Sequence, residues 1–284
     1  MNIKNNSFCY PVEKGKIAVC LMTFGGDEKC LTYCLRYLRK QKKFYNMDFY
    51  LLDDANHPLE NPPSDCHYWK TYFDRQGNLN GVECAQGMLI EFLKIARESK
   101  AEYIMKVDCD MAIRNLTNFL LPLENDPLQV VGFQLREGMK YAAGVTYILP
   151  TCGIYNAIKL FHKWHKVEKE NAKTDTTLDF VEGAFPDHCP EDWAITRCVA
   201  WTNDWKLNLW SNTKQEPSEN WLLSPFNFDE LRKDGSINPV CLSRYQLYDF
   251  VNFGNRYQLE VENPREVAAH CFRIFYNFDL KNTF

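Results

Sequence analysis

Residues 101–110 have the sequence AEYIMKVDCD and carry the strongest structural signal in the chain. A short apolar run of this kind predicts a buried strand, and this one ends at two carboxylates, Asp108 and Asp110. On an extended or turning backbone, their two-residue spacing can point both carboxylates toward one bound group. Hard divalent cations prefer oxygen ligands and are often held by one or two carboxylates together with substrate phosphates. The stretch therefore predicts metal-assisted handling of a diphosphate.

A structural interpretation of the same two carboxylates is also open. Asp108 can simply end the strand, and Asp110 can cap a helix over residues 111–121, because Asp side chains accept hydrogen bonds from the free N–H groups of a helix.

The elements around this stretch predict a parallel sheet. Apolar runs at 16–24 and 47–52 predict strands, and helical periodicity covers 27–43 and 82–99. Strands that alternate with helices form parallel sheets, in which ligands bind outside the carboxyl ends of the strands. Four carboxylates stand at such predicted ends: Asp53, Asp54, Asp108 and Asp110.

The second half of the chain continues with mixed elements. Strands are predicted at 129–135, 141–149 and 205–210, with helices at 154–169 and 194–201. The polar stretch 211–239 is longer than compact domains usually keep without function, so we expect a substrate-facing flap there.

An acidic pair, Glu191 and Asp192, follows Pro190 at the start of the helix predicted over 194–201. Acidic residues in a first helical turn are favoured by the helix dipole, so the pair has a structural explanation. A catalytic role for the two carboxylates is the other interpretation.

Composition restricts the kind of protein. The 284 residues are 45% hydrophobic and 25% charged, as in ordinary globular proteins, with a net charge of −4. This balance gives no bulk attraction to nucleic acid, so a phosphate-bearing partner would be met at a local site. No apolar signal-like segment or run of eighteen apolar residues is present, and we expect a cytoplasmic protein that can also associate peripherally with a membrane.

The order of these features resembles the GT-A family of nucleotide-sugar glycosyltransferases, particularly its family-2-like group. The resemblance covers residues 16–202, with an echo at His270. It is carried by the strand ending at Thr23, Leu52-Asp53-Asp54, Asn80-Gly81, Asp108-Cys109-Asp110 and Glu191-Asp192-Trp193. It implies an α/β fold with a mixed, mainly parallel, Rossmann-like sheet flanked by helices. The single domain would comprise a nucleotide-binding half, 16–125, and an acceptor-side half, 126–284.

The resemblance also implies roles for individual residues. Thr23 and Phe24 would belong to the nucleoside pocket, with Asp53 or Asp54 as the partner of the base. Asp108 would lie near the ribose or the metal. The predicted ligands of Mn²⁺ or Mg²⁺ are Asp108, Asp110 and His270, and Gly144 would allow the donor sugar and acceptor to approach the backbone closely.

The implied reaction moves a sugar from a nucleoside-diphosphate sugar, with a UDP-sugar favoured, to a hydroxyl of a glycan or other acceptor. In the inverting version a carboxylate removes the acceptor proton. Asp192 is the first candidate for this base, then Glu191 and Asp187. Trp193 and Trp221 are candidate sugar contacts, and the possible phosphate partners are Lys106, Arg136 and Arg244.

Two other functions compete with this one. The first is a non-catalytic carbohydrate-binding protein on a degenerate GT-A domain, although the chain keeps both aspartates and the Glu-Asp pair. The second is a haloacid-dehalogenase-like phosphatase, which also has a strand-terminal D-x-D but expects Thr or Val where this chain has Ala112.

Overall fold

The structure is a computed structural model that describes residues 11–73, 75, 81–109, 111–113, 116–134, 141–165, 189–204, 206–211, 223–224 and 268–270. Its strands are β1 Glu13–Thr23, β2 Met47–Asp54, β3 His67–Thr71, β4 Ala101–Asp108, β5 Met111–Ile113, β6 Val130–Gln134, β7 Thr146–Pro150, β8 Leu207–Ser211, β9 Leu223–Ser224 and β10 Ala268–His270. Its helices are α1 Glu28–Gln41, α2 Gly81–Ser99, α3 Leu116–Asn125, α4 Thr151–His165 and α5 Glu191–Thr202.

The main sheet has seven strands in the order β3-β2-β1-β4-β7-β6-β8. Strands β3, β2, β1 and β4 are parallel, whereas β7 runs antiparallel to both of its neighbours. β8 pairs with β6 in parallel. The expected α/β class with a mixed, mainly parallel sheet is confirmed.

Alternation along β1 explains why helices cover both faces of this sheet. Ile17, Val19 and Leu21 pack into a core with α1 and α3, while Ala18 and Cys20 pack into a second core with α2, α4 and α5. Successive side chains of a strand point to opposite faces, so a strand that is apolar at every position must be covered on both sides. The continuous apolar runs therefore specify a central, doubly covered sheet.

The prediction of a helix over residues 111–121 is wrong for its first residues. Residues 111–113 form β5, which pairs with β10 in a small second sheet ordered β5-β10-β9, and α3 begins only at Leu116. Met111 and Ile113 are buried on one side of β5. Pairing with a segment more than 150 residues later decides this strand, so local periodicity could not indicate it.

Several expectations fall outside the described residues. They concern Asp187, Arg136, Arg244, Trp221 and nearly all of the flap at 211–239. None of the helices in the described residues combines the length and apolar character that are needed to cross a bilayer.

Candidate functional site

A pocket of about 540 Å³ lies at the carboxyl edge of the main sheet. β1, β2 and β4 end there side by side because they are parallel neighbours in register. The lining residues are Met22, Phe24, Asp54, Arg75, Cys84, Met88, Lys106, Asp108, Gly144, Val145, Pro190, Glu191 and Asp192. Seven of the residues singled out from the sequence thus lie around one cavity: Phe24, Asp54, Lys106, Asp108, Gly144, Glu191 and Asp192.

The opposite wall of the pocket is formed by the beginnings of α2 and α5, which are in close contact. A side chain at Gly81, the first residue of α2, would place its Cβ 1.7 Å from the carbonyl oxygen of Cys189. Only a glycine allows this approach. The contact brings Pro190, Glu191 and Asp192 against the helix that supplies Cys84 and Met88.

The adjacent carboxylates Asp53 and Asp54 have different surroundings. Asp53 is 0% exposed, and its carboxylate accepts hydrogen bonds from the Thr23 hydroxyl at 2.8 Å, the Leu59 N–H at 2.8 Å and the Tyr68 hydroxyl at 2.6 Å. Asp54 faces the pocket. The structure therefore places Thr23 and Asp53 behind the pocket wall, where they connect β1 and β2 to the loop that follows.

Phe24 stands at the rim of the pocket and is 38% exposed. Its main-chain N–H donates to Oδ2 of Asp27 at 3.1 Å, which holds the turn between β1 and α1. An aromatic ring held in this way can offer its face to a planar ligand such as a nucleobase.

Lys106 is the buried cation of the site, with 3% exposure. Its ammonium group donates to Oδ1 of Asp108 at 2.6 Å and also to the carbonyl oxygen of Gly144. The side chain of Asp108 is 24% exposed, so its second oxygen can reach a ligand while the first is paired. Two of the three ammonium protons are satisfied in this way, which accounts for a lysine that is almost fully buried.

Gly144 links this ion pair to the acidic pair on α5. Its main-chain N–H donates to Oδ2 of Asp192 at 2.6 Å. A Cβ at this position would lie 3.2 Å from Asp192 Oδ2 and 3.5 Å from Glu191 Oε1. The backbone at 144 thus contacts the Asp192 carboxylate directly, and a side chain there would crowd Asp192 and reach Glu191.

Burial raises the pKa of Asp192 to about 7, and the negative charge of Glu191 adds to the effect. The Trp193 and Gly144 N–H groups and the Lys106 ammonium act in the opposite direction, because each stabilises the ionised carboxylate. A carboxylate with a pKa near 7 can accept a proton efficiently at neutral pH. Asp192 therefore has the electrostatic properties of a general base.

Tyr147 lies under this network on β7. It is fully buried, and its hydroxyl has no hydrogen-bond partner among the described residues. The Lys106 ammonium lies 5.8 Å from the centre of its ring. Burial holds the pKa of the Tyr147 phenol well above its usual range, and the charges of Glu191, Asp192 and Asp108 add to this effect. Tyr147 therefore stays neutral and packs in the core behind the residues that line the pocket.

Arg75 lines the pocket but did not stand out in the sequence. Its guanidinium donates to the carbonyl oxygen of Thr23 at 2.6 Å, and to the carbonyl oxygen of Leu52 and the hydroxyl of Thr71. These contacts join the ends of β1, β2 and β3. The sequence around Arg75 carries no motif that would indicate its role. Its partners include the main-chain carbonyl oxygens of Thr23 and Leu52, which only the tertiary fold brings close to it.

The predicted metal ligands are only partly described. Asp108 faces the pocket, Asp110 lies outside the described residues, and for His270 the backbone alone is described. In the pairing of β10 with β5, His270 stands opposite Met111, the residue that follows Asp110. The small sheet thus brings the chain around His270 next to the end of the D-x-D segment. Within the described part, no three His, Cys, Asp or Glu side chains cluster closely enough to hold a metal ion.

Trp193 is not the sugar contact that the sequence suggested. It is 1% exposed and packs in the core between the sheet and its helices. A ring buried there has no free face for a sugar.

Comparisons with known proteins identify no family. No protein-family model matches the sequence, and no curated protein sequence matches it. One of the solved structures with a similar course of chain is that of the galactosyltransferase LgtC in complex with donor and acceptor sugar analogs. It has a TM-score of 0.41 and 10% sequence identity, and the match covers 79% of this chain and 85% of that chain.

Proposed function

We propose that this chain is a GT-A-type glycosyltransferase that uses a divalent cation to move a sugar from a nucleoside-diphosphate sugar to an acceptor hydroxyl, with inversion at the anomeric carbon. The observation that carries the proposal is the position of Asp192. It lies in a pocket at the carboxyl edge of a parallel sheet with a pKa of about 7, opposite the strand end that carries Asp108. This combination suits a reaction in which an alcohol must lose a proton beside an anionic leaving group.

Asp192 is the proposed base for the acceptor hydroxyl. Its two oxygens accept the N–H groups of Gly144 and Trp193, which fix the orientation of the carboxylate and leave lone pairs for a proton. Glu191 raises the proton affinity of Asp192 and offers a second carboxylate to a sugar hydroxyl. The absence of a side chain at Gly144 lets its main-chain N–H reach Asp192 and hold the carboxylate in place.

The chemistry of the pocket also fits a hard cation. Its carboxylates include Asp54 and Asp108, and oxygen donors are the ligands that Mg²⁺ and Mn²⁺ prefer. We assign the cation to Asp108, Asp110 and His270, with Lys106 holding Oδ1 of Asp108 so that the other oxygen points toward the ligand. When bound, the cation would neutralise charge on the diphosphate leaving group.

The donor side of the pocket is assigned to the ends of β1 and β2. The exposed ring of Phe24 suits stacking on the base, and the carboxylate of Asp54 suits a hydrogen bond to a base N–H or a ribose hydroxyl. A UDP-sugar is the favoured donor. Thr23 and Asp53 would support this side from behind through their mutual hydrogen bond.

Donor binding is tested first, without any need to know the acceptor. UDP-, GDP-, CMP- and dTDP-sugars are screened by thermal shift, each with and without Mn²⁺, because a ligand that binds the native state raises its stability. We expect a Mn²⁺-dependent shift with one nucleotide, which is lost in Asp108→Asn and in Asp110→Ala. The control variant is Asp48→Asn, which changes a carboxylate at the opposite end of β2 and should keep the donor-induced shift. The absence of a shift with every donor would contradict the proposal.

Catalysis is tested with the donor so identified. Asp192→Asn should keep the donor-induced shift and lose transfer and donor hydrolysis by at least about 100-fold, the usual range for a general base. The result distinguishes an enzyme from a carbohydrate-binding protein, because a pure binding protein would release no nucleoside diphosphate in the wild type. Normal turnover by Asp192→Asn would refute the role of Asp192.

A further inference from the structure

Helix α1 carries a concentrated basic surface far from the carboxyl edge of the sheet. The helix buries Leu31, Cys34, Leu35 and Leu38 in the core, so its other side faces outward. The α1 basic surface consists of five exposed cations and one aromatic residue: Arg36, Arg39, Lys40, Lys42, Lys43 and Phe44. The protein as a whole has a net charge of −4, so this concentration of positive charge is local.

Known stabilising effects explain only part of this surface. Cations in a last helical turn interact favourably with the helix dipole, which accounts for Arg39 and Lys40. Arg39 also forms a two-hydrogen-bond pair with Asp65 at 2.7 and 2.5 Å, and Lys42 lies 3.9 Å from Asp48. These effects do not account for Lys43, or for an aromatic ring that is exposed to water.

Phe44 is the second and independent observation. It is 79% exposed, although burying its ring would be favourable, and it follows directly after two lysines. Lys43, the residue directly before it, lines an open groove of about 530 Å³ together with Thr32, Arg36, Arg39 and Lys40. Cationic groups around a groove, beside a ring that projects into solvent, form a surface with two different binding chemistries.

We propose that the α1 basic surface binds the anionic phospholipid surface of a bilayer. The lysine and arginine groups would contact lipid phosphates, and the Phe44 ring would enter the boundary between headgroups and acyl chains. A nucleic acid would satisfy the same cations, but the protruding Phe44 favours the bilayer because a bilayer offers an apolar layer directly beneath its anionic groups. Bulk attraction is not the cause, since the net charge of −4 favours repulsion from such a membrane, and this repulsion is screened beyond about 10 Å at about 0.1 M salt.

The test uses the full chain and vesicles of defined composition. Sedimentation is measured with pure phosphatidylcholine vesicles and with vesicles that contain about one third phosphatidylglycerol, at about 0.1 M salt. We expect binding to the anionic vesicles only. The variant Lys40→Glu/Lys43→Glu should lower the partition coefficient at least about 10-fold, since each cation near an anionic surface contributes to the attraction.

Two further variants keep the test specific. Lys70→Glu/Lys94→Glu makes the same change in net charge on β3 and α2 and should bind like the wild type. Phe44→Ser should bind several-fold more weakly than the wild type at low and at high salt, because it removes the apolar contribution. Circular dichroism and thermal unfolding confirm that each variant is folded.

Three results would overturn the proposal. The first is equal binding to both kinds of vesicle. The second is equal loss in the Lys40/Lys43 and Lys70/Lys94 variants. The third is tight binding to a DNA or RNA duplex that is lost in Lys40→Glu/Lys43→Glu but unaffected in Phe44→Ser, which would make the surface a nucleic-acid site. None of these measurements depends on the glycosyltransferase activity.

Discussion

The main-chain N–H of Gly144 donates a hydrogen bond of 2.6 Å to Oδ2 of Asp192, and the carbonyl oxygen of the same residue accepts one from Lys106. Lys106 in turn pairs with Asp108 at 2.6 Å. One glycine thus connects the carboxylate at the end of β4 to the carboxylate at the start of α5. The geometry of the two acids cannot change independently, which is the basis of the first predictions.

Gly144→Ala should disturb Asp192 without unfolding the protein. The new methyl group would lie 3.2 Å from Asp192 Oδ2, closer than ordinary contact, so the carboxylate must move. We expect transfer to fall about 10- to 100-fold, since small misplacements of a catalytic group have effects of this size. The measurement compares kcat with the donor-induced thermal shift, which should persist. An unchanged kcat would show that this contact does not position the base.

Asp192→Asn should change how stability depends on pH. The pKa of Asp192 is about 7 in the folded protein and 3.8 ordinarily, so between these values the folded state binds the proton more tightly. Wild-type stability should therefore fall as pH rises from about 4 to 7, by about 1.4 kcal/mol for each unit of pKa difference. Asp192→Asn lacks this pH-dependent contribution to stability, because the amide does not titrate. Chemical unfolding at pH 5 and pH 8 measures the free energy of unfolding of both proteins. An equal fall in the wild type and in Asp192→Asn would contradict the raised pKa.

Lys106→Met should destabilise the fold, because it leaves Asp108 and the Gly144 carbonyl without their donor. Removing one partner of a largely buried pair costs several kcal/mol, and we expect about 2 kcal/mol here because Asp108 is partly exposed. The control is Lys94→Met, whose partner Glu91 lies at 2.8 Å but whose own side chain is 55% exposed. That change should cost less than about 1 kcal/mol. Equal losses in urea unfolding would refute the structural importance of Lys106.

Asp53→Asn and Asp54→Asn should separate stability from binding. The buried carboxylate of Asp53 accepts three hydrogen bonds, and an amide cannot accept all of them, so we expect a loss of about 2–3 kcal/mol in the free energy of unfolding. Asp54→Asn should change stability by less than about 1 kcal/mol but weaken the donor-induced thermal shift. The reverse pattern would assign the donor contact to Asp53.

Gly81→Ala should be costly, although alanine normally favours a helix by about 0.5–1 kcal/mol over glycine. Its Cβ would overlap the Cys189 carbonyl, so α2 and the segment before α5 must separate, and we expect a loss of about 3 kcal/mol. Gly87→Ala in the same helix meets the Phe73 side chain instead of backbone and should cost less. Thermal unfolding measures both variants, and a stabilised Gly81→Ala would show that the contact can relax.

Much of the main sheet was predictable because its signals are local. The strands that became β1, β2 and β4 and the helices that became α1 and α2 were expected near their observed bounds, since each shows its own periodicity over consecutive residues. The placement of carboxylates at strand ends followed from the same periodicity combined with the rule for parallel sheets. These are properties of short segments, and the sequence contains them in full.

Other features depend on residues far apart in the chain. β5 forms by pairing with β10, Asp53 is removed from the pocket by Thr23, Leu59 and Tyr68, and Trp193 is enclosed by the core. The sequence alone indicated the strands β1, β2 and β4, the helices α1 and α2, and the carboxylates at the ends of those strands. The tertiary structure decided which of those side chains face the pocket and how their charges interact, because burial and electrostatic coupling depend on distances between residues that no local pattern encodes.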